Sequence, residues 1–94
     1  MSDILVYYFW SPTCNPCTAI KPSIQQLKEE FEEAIPPENW IAVNTHQDVN
    51  GYVNTFKVAV VPTLVVTKGG VEVGRHSGST ISLYYTLIRK AIRA

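Results

Sequence analysis

Cys14-Asn15-Pro16-Cys17 lies at the point in the sequence where a strand pattern changes into a helix pattern. Before it, residues 4–9 form a continuous run of β-branched and aromatic residues, which predicts a strand that is covered on both faces of a sheet. After it, apolar residues recur at steps of four, three, four and four, which predicts the inner face of a long helix. These apolar positions are Ile20, Ile24, Leu27, Phe31 and Ile35.

Prolines set the limits of this helix. Pro36-Pro37 is expected to stop it. Pro22 lies inside it, where a missing backbone donor and a clash with the preceding turn predict a bend.

Downstream of the prolines, Trp40 to Val43 reads as a second strand. Asp48 to Phe56 predicts a short helix that Asp48 could cap, although Gly51 weakens that helix. Its inward-facing residues are expected to be Val49, Tyr52, Val53 and Phe56.

The last third of the chain predicts a hairpin and a helix. Thr63 to Thr67 and Val71 to Arg75 read as strands joined by a turn at Lys68-Gly69-Gly70. A final helix follows the capping residues 77–80. Tyr84 and Tyr85 fit a half-buried helix, with one or the other on its apolar stripe. The order βαβαββα predicts an α/β fold with a four-stranded mixed sheet flanked by helices.

Length and composition narrow the class of protein. Ninety-four residues with 46% hydrophobic content predict one domain, residues 1–94. Eight basic residues balance eight acidic ones, which argues against a nucleic-acid or membrane-surface partner bound through bulk charge. Two cysteines are too few for a secreted disulfide scaffold, and no signal-peptide flank precedes the first apolar run. We therefore expect a cytoplasmic protein.

The position of the two cysteines predicts redox chemistry. Residues three apart share a helix face, so the two sulfurs can approach closely enough to bond. Cys14 would lie at the helix N-terminus, where free N–H groups and the helix dipole stabilise a thiolate. Pro16 would fall in the first turn, where its missing N–H costs least. Cys14 is then the attacking nucleophile, and Cys17 resolves the mixed disulfide.

Two other interpretations of the cysteines are open. They could be half of a zinc site, but only His46 and His76 could complete it, and their spacing is unlike that of a zinc finger. They could also be inert core thiols. We expect no metal and no cofactor, and we expect both histidines to be solvent-facing loop residues.

Several motifs together resemble the thioredoxin family over roughly the whole chain. They are Phe9-Trp10, Cys14-Asn15-Pro16-Cys17, Pro22, Val61-Pro62-Thr63, Lys68-Gly69-Gly70 and Gly78. The resemblance implies a thioredoxin-like fold and protein disulfide reduction.

The resemblance also implies roles for individual residues. Trp10 would pack beside the active site. Pro62 would follow a cis peptide bond and face the disulfide, and Val61 would offer backbone hydrogen bonds to an extended substrate. Gly78 would leave a flat apolar surface for the partner.

The sequence departs from the family pattern near the active site. Thr13 and Asn15 stand where family members usually carry Trp and Gly, and these residues with Pro16 form a rim expected to influence partner choice. Tyr8 and Ala42 stand where a buried Asp and Lys are usual. The chain also begins directly at the central strand, so we expect a minimal version, closer in size to glutaredoxins.

Three functions remain open from the sequence. The first is a monomeric protein disulfide reductase, recharged by a thioredoxin reductase, with a place in electron transport and cell redox homeostasis. The second is a glutaredoxin-like enzyme that uses glutathione, although a clear glutathione-binding segment is missing. The third is a non-catalytic binding module, which the retention of both cysteines disfavours.

Overall fold

The computed structural model describes residues 3–94 as four strands and three α-helices, with a single 3₁₀ turn at Pro37–Asn39. The bounds are β1 Ile4–Trp10, α1 Asn15–Glu30, β2 Trp40–Asn44, α2 Tyr52–Thr55, β3 Thr63–Lys68, β4 Val71–Ser77 and α3 Ile81–Arg93. This order confirms the predicted βαβαββα arrangement. Within residues 3–94, no helix is long and apolar enough to cross a membrane.

The four strands form one mixed sheet in the order β2-β1-β3-β4. β1 runs parallel to β2 and antiparallel to β3, and β3 runs antiparallel to β4. A parallel pair needs a crossover, which α1 supplies, whereas the two-glycine turn after Lys68 is enough to join β3 and β4. The mixed sheet is therefore confirmed, with β1 and β3 at its centre.

Apolar residues from successive positions of β1 supply two separate cores, because neighbouring side chains point to opposite faces of a sheet. On one face, Val6 and Leu64 pack with α1 and α3, where Leu27 and Ile88 are fully buried. The opposite face contributes a smaller core, whose buried members are Tyr7, Phe9, Val43 and Val65. β1 is thus covered on both sides, as its continuous apolar run predicted.

The first helix is shorter than the sequence predicted. It ends at Glu30 and not at Ile35. The residues at its end are rich in glutamate, and negative charge at a helix C-terminus opposes the helix dipole. A turn follows in which the N–H of Ile35 donates to the carbonyl of Phe31 at 2.8 Å, and this turn returns Ile35 to the core with no exposed surface.

The second helix is also shorter than predicted, spanning Tyr52–Thr55. Gly51 precedes it with φ of 70°, a left-handed conformation that glycine adopts without strain and that interrupts the predicted helix. Val49 is 92% exposed, so its predicted inward position is wrong. Tyr52, Val53 and Phe56 do pack against the smaller core.

The predicted cap at Asp48 is confirmed. Its two carboxylate oxygens accept hydrogen bonds from the backbone N–H groups of Tyr52, at 3.0 Å, and of Val53, at 2.7 Å. We expect Asp48→Ala to lower the free energy of unfolding by about 0.5–2 kcal/mol, because two helix N–H groups lose their acceptors. Urea denaturation measures this, with Asn54→Ala in the same helix as the control. Equal stability of the two variants would contradict the capping role.

Candidate active site

The Cys14–Cys17 pair lies where β1 gives way to α1. Residues 11–13 form the intervening turn, in which the N–H of Cys14 donates to the carbonyl of Ser11 at 3.2 Å. Cys14 is the N-cap of α1, and Pro16 occupies the first turn, where the helix needs no backbone donor. The two cysteines are joined by a disulfide, with their Cα atoms 5.2 Å apart. The predicted position of the pair is therefore confirmed.

The two sulfurs have different surroundings. Cys14 is partly exposed, whereas Cys17 is only 3% exposed. The backbone N–H of Cys17 donates to Sγ of Cys14, with 3.1 Å between nitrogen and sulfur. A donor at a helix N-terminus favours a negative charge on the sulfur that it contacts. This geometry suits Cys14 for attack on a substrate and Cys17 for a protected second step.

The predicted rim residues are neighbours of Cys14 in the chain. Thr13, Asn15 and Pro16 are all exposed beside Cys14, and Trp10 is the partly buried last residue of β1. The hydroxyls of Ser11 and Thr13 lie 3.4 Å apart, which links the two ends of the turn. Side chains at these positions are accessible to a partner.

The strand register brings the remaining predicted residues to the same end of the sheet. Phe9 pairs with Thr63, and Thr63 pairs with Ser77, so the loops that contain Pro62 and Gly78 adjoin the end of β1. The Val61–Pro62 peptide bond is cis, as the resemblance implied. The N–H of Gly78 donates to the carbonyl of Pro62 at 3.0 Å, and the φ of 111° at Gly78 is one that other residues rarely adopt.

Side chains that the sequence analysis missed hold these two loops together. The hydroxyl of Thr63 lies 2.7 Å from the hydroxyl of Ser77 and donates to the carbonyl of Val60 at 2.7 Å. The hydroxyl of Tyr84, on α3, donates to the carbonyl of Gly78. Tyr84 is fully buried, on the apolar stripe of α3, whereas Tyr85 is partly buried. The sequence offered only a helical apolar stripe at this position, which does not reveal a hydrogen bond to a distant loop.

We expect Tyr84→Phe to lower the free energy of unfolding by about 1–3 kcal/mol at neutral pH, because the carbonyl of Gly78 loses its side-chain donor. The pKa of Tyr84 is raised to about 12, mainly because its hydroxyl is buried and to a smaller extent because Tyr8 is nearby. The unfolded tyrosine ionises near pH 10, before the folded one, so the stabilisation falls as pH rises from about 10 to about 12.

Urea denaturation of the wild type and Tyr84→Phe at several pH values measures both effects. The difference in free energy of unfolding between the two proteins should shrink above pH 10, because Tyr84 ionises more easily in the unfolded wild type than in the folded one. Tyr52→Phe removes a hydroxyl from α2 and serves as the control. A difference that stays constant up to pH 12 would contradict the coupling between Tyr84 ionisation and folding.

Tyr8 and Ala42 lie at adjacent, paired positions of β1 and β2. Burial raises the pKa of the partly buried Tyr8, so its hydroxyl is neutral near pH 7. Ala42 is exposed and carries no ionisable group. Neither residue can therefore take a proton from Cys17 as a carboxylate would, which leaves water or the departing thiolate for that task.

The two histidines lie apart from the cysteines. His46 is exposed in the loop after β2, as predicted. His76 was predicted to be a loop residue, but it lies in β4, partly buried, with its ring 5.2 Å from the ring of Tyr84. The end of β4 extends two residues beyond the prediction because it continues to pair with β3 as far as Ser77. Across residues 3–94 there is no group of three or more potential metal ligands.

Comparisons with known proteins agree on one family. A family model described as thioredoxin matches residues 1–89. The chain is 33% identical over 88 residues to the chloroplastic M-type thioredoxin of Zea mays, covering 89% of this chain and 48% of that protein. It is 30% identical over 73 residues to thioredoxin 1 of Nostoc sp., and the match covers 77% of this chain and 64% of that protein.

Solved structures show the same likeness in three dimensions. The thioredoxin of Fasciola hepatica superposes with a TM-score of 0.80 at 29% identity, covering 95% of this chain and 82% of that one. This match confirms the fold that the sequence motifs implied. The chain spans 48% and 64% of the length of the maize and Nostoc relatives, so it matches only part of those proteins.

Proposed function

The chain belongs to the thioredoxin family, and we propose that it is a protein dithiol–disulfide oxidoreductase that acts through Cys14 and Cys17. The observation that carries this proposal is the asymmetry of the pair. Cys14 is accessible and its sulfur accepts a helix N-terminal hydrogen bond, whereas Cys17 is buried one turn later. Thiol–disulfide exchange needs one reactive thiolate and one protected thiol within bonding distance of it.

The reduced enzyme begins the cycle with a thiolate at Cys14. That thiolate attacks one sulfur of a substrate disulfide, forming a Cys14–substrate bond and releasing the other substrate sulfur as a thiolate. Cys17 then loses its proton and attacks Sγ of Cys14. The second substrate sulfur departs and takes up a proton, so the substrate gains two electrons and the enzyme is left with the Cys14–Cys17 disulfide.

We assign substrate binding to the surfaces next to Cys14. Trp10, Thr13, Asn15 and Pro16 would contact the substrate from the β1–α1 junction. The loops of Val61-Pro62 and Gly78, joined by the hydrogen bond between Gly78 and Pro62, would support an extended substrate segment. Backbone N–H and C=O groups of such a segment could pair with the backbone of Val61.

The oxidised enzyme needs a donor of two electrons to complete the cycle. We propose a flavoprotein thioredoxin reductase as that donor, with glutathione as the alternative. We further propose that the chain works as a monomer in a reducing compartment such as the cytosol, where it would serve electron transport and redox homeostasis. Two cysteines are too few for the disulfide scaffold of a small secreted protein, which supports a reducing setting.

Reduction of insulin disulfides with dithiothreitol tests the activity. We expect the protein to accelerate precipitation of the insulin B chain well above the rate with dithiothreitol alone. A rate equal to that of dithiothreitol alone would contradict the proposed activity and favour a non-catalytic binding module. Replacing dithiothreitol with NADPH and thioredoxin reductase, or with glutathione and glutathione reductase, then identifies the donor.

A further inference from the structure

A cavity of about 710 Å³ lies beside α1, over the part of the sheet formed by β1 and β2. Its volume is in the range of small-molecule sites. Its walls are mainly apolar and aromatic, with Tyr8, Trp10 and Trp40 contributing rings. β2 is the edge strand of the sheet, and the exposed Ala42 shows that α1 does not cover this edge fully.

The cavity reaches the buried half of the redox pair. Cys17 lines it, whereas Cys14 does not. An occupant would therefore contact the resolving cysteine without occupying the exposed sulfur to which the protein substrate binds. Of the residues assigned above to substrate binding, Trp10 lines the cavity, whereas Thr13, Asn15 and Pro16 do not.

The charged residues of the cavity carry one sign. Lys21 and Lys28, on α1, both line it, and no Asp or Glu is among the described residues that do so. Ammonium groups next to an apolar surface attract ligands that carry an anionic group on an apolar body. The charge and the lining together select an amphipathic anion over a neutral or cationic ligand.

The two tryptophans belong to the wall of this cavity. Trp10 is the last residue of β1 and Trp40 is the first residue of β2, and both line the cavity. Aromatic side chains offer a large apolar contact area. The apolar body of a ligand would pack against them.

We propose that this cavity binds an amphipathic organic carboxylate and that the bound ligand shields Cys17. The apolar body of the ligand contacts the aromatic wall, and Lys21 and Lys28 contact its carboxylate. The effect on disulfide exchange rests on the proposed function, because a shielded Cys17 resolves the mixed disulfide more slowly. Binding itself does not depend on that function.

Tryptophan fluorescence tests binding directly, since the chain has two tryptophans and both line the cavity. Titration of the oxidised protein with octanoate should give a saturable change, and octanol should bind more weakly. In the Lys21→Gln/Lys28→Gln variant the octanoate affinity should fall at least about tenfold. Lys90→Gln, on α3 and outside the cavity, is the matched control and should bind as the wild type does.

A second measurement places the ligand next to Cys17. In Cys14→Ser, Cys17 is the remaining thiol, and saturating octanoate should slow its alkylation by iodoacetamide at least about threefold. Unsaturable fluorescence, equal affinity in the double Lys variant and Lys90→Gln, or unchanged alkylation would each overturn the proposal. Because Cys14→Ser cannot turn over, failure of the insulin assay would leave these results unaffected.

Discussion

Cys14→Ser is expected to lower the rate of insulin disulfide reduction to the rate measured with dithiothreitol alone. A serine hydroxyl is not ionised near neutrality, so it cannot replace the thiolate that attacks the substrate disulfide. Cys17 remains in this variant, but it is only 3% exposed and a bulky protein disulfide cannot reach it. The rate of B-chain precipitation at equal protein concentration measures the loss. Residual activity close to that of the wild type would show that Cys14 is not the nucleophile.

Cys17→Ser should also fail to turn over, but for a different reason. The attacking sulfur is intact in this variant, so the first exchange proceeds and the mixed disulfide persists because no second thiol resolves it. Incubation with a disulfide-containing substrate, without dithiothreitol, should give a covalent complex on a non-reducing gel. Cys14→Ser should give none. A complex that forms with Cys14→Ser and not with Cys17→Ser would reverse the two roles.

The four strands and the helices α1 and α3 could be predicted because the apolar pattern of each lies within one short segment of the sequence. The apolar run of β1 and the stripe of α1 report burial directly, since the core covers those positions. The ends of α1 and α2 could not be read in the same way. Ile35 continues the apolar period of α1 because a turn returns it to the core, and Val49 is apolar although it is exposed.

The active site was predictable to the extent that it lies within one short segment. The spacing of Cys14 and Cys17 predicts that their sulfurs can bond. The cis peptide bond before Pro62 was predicted only by the resemblance to the family. The hydrogen bonds from Tyr84 and Thr63 depend on how α3 and β4 pack against distant loops. No periodicity in the sequence carries that information.

The cavity illustrates the same limit. Tyr8 and Ala42 depart from the family pattern in the sequence, but the effect of these residues depends on the pairing of β1 with β2 and on the position of α1. For Trp40, the sequence predicts only a position in a strand. A space between elements is produced by their arrangement, so a sequence that predicts each element still does not predict the space.

The second large effect is expected in the reactivity of the two thiols. At pH 7, Cys14 in Cys17→Ser should be alkylated by iodoacetamide at least about tenfold faster than Cys17 in Cys14→Ser. A difference of one unit in the pH of ionisation gives about tenfold more thiolate, and the burial of Cys17 slows its reaction further. The Cys17→Ser substitution keeps the backbone N–H at position 17, so the donor to Sγ of Cys14 is retained.

Alkylation rates measured from pH 5 to pH 10 separate ionisation from access. A helix N-terminal contribution shifts the midpoint of the Cys14 profile to lower pH, whereas restricted access lowers the Cys17 rate at every pH without moving the midpoint. In 8 M urea, which removes both effects, the two variants should react at similar rates. If Cys17 remains slower in urea, the difference lies in local sequence and not in the fold. If instead Cys17 reacts faster in the folded protein, the buried thiol is the nucleophile and the order of the two exchange steps must be reversed.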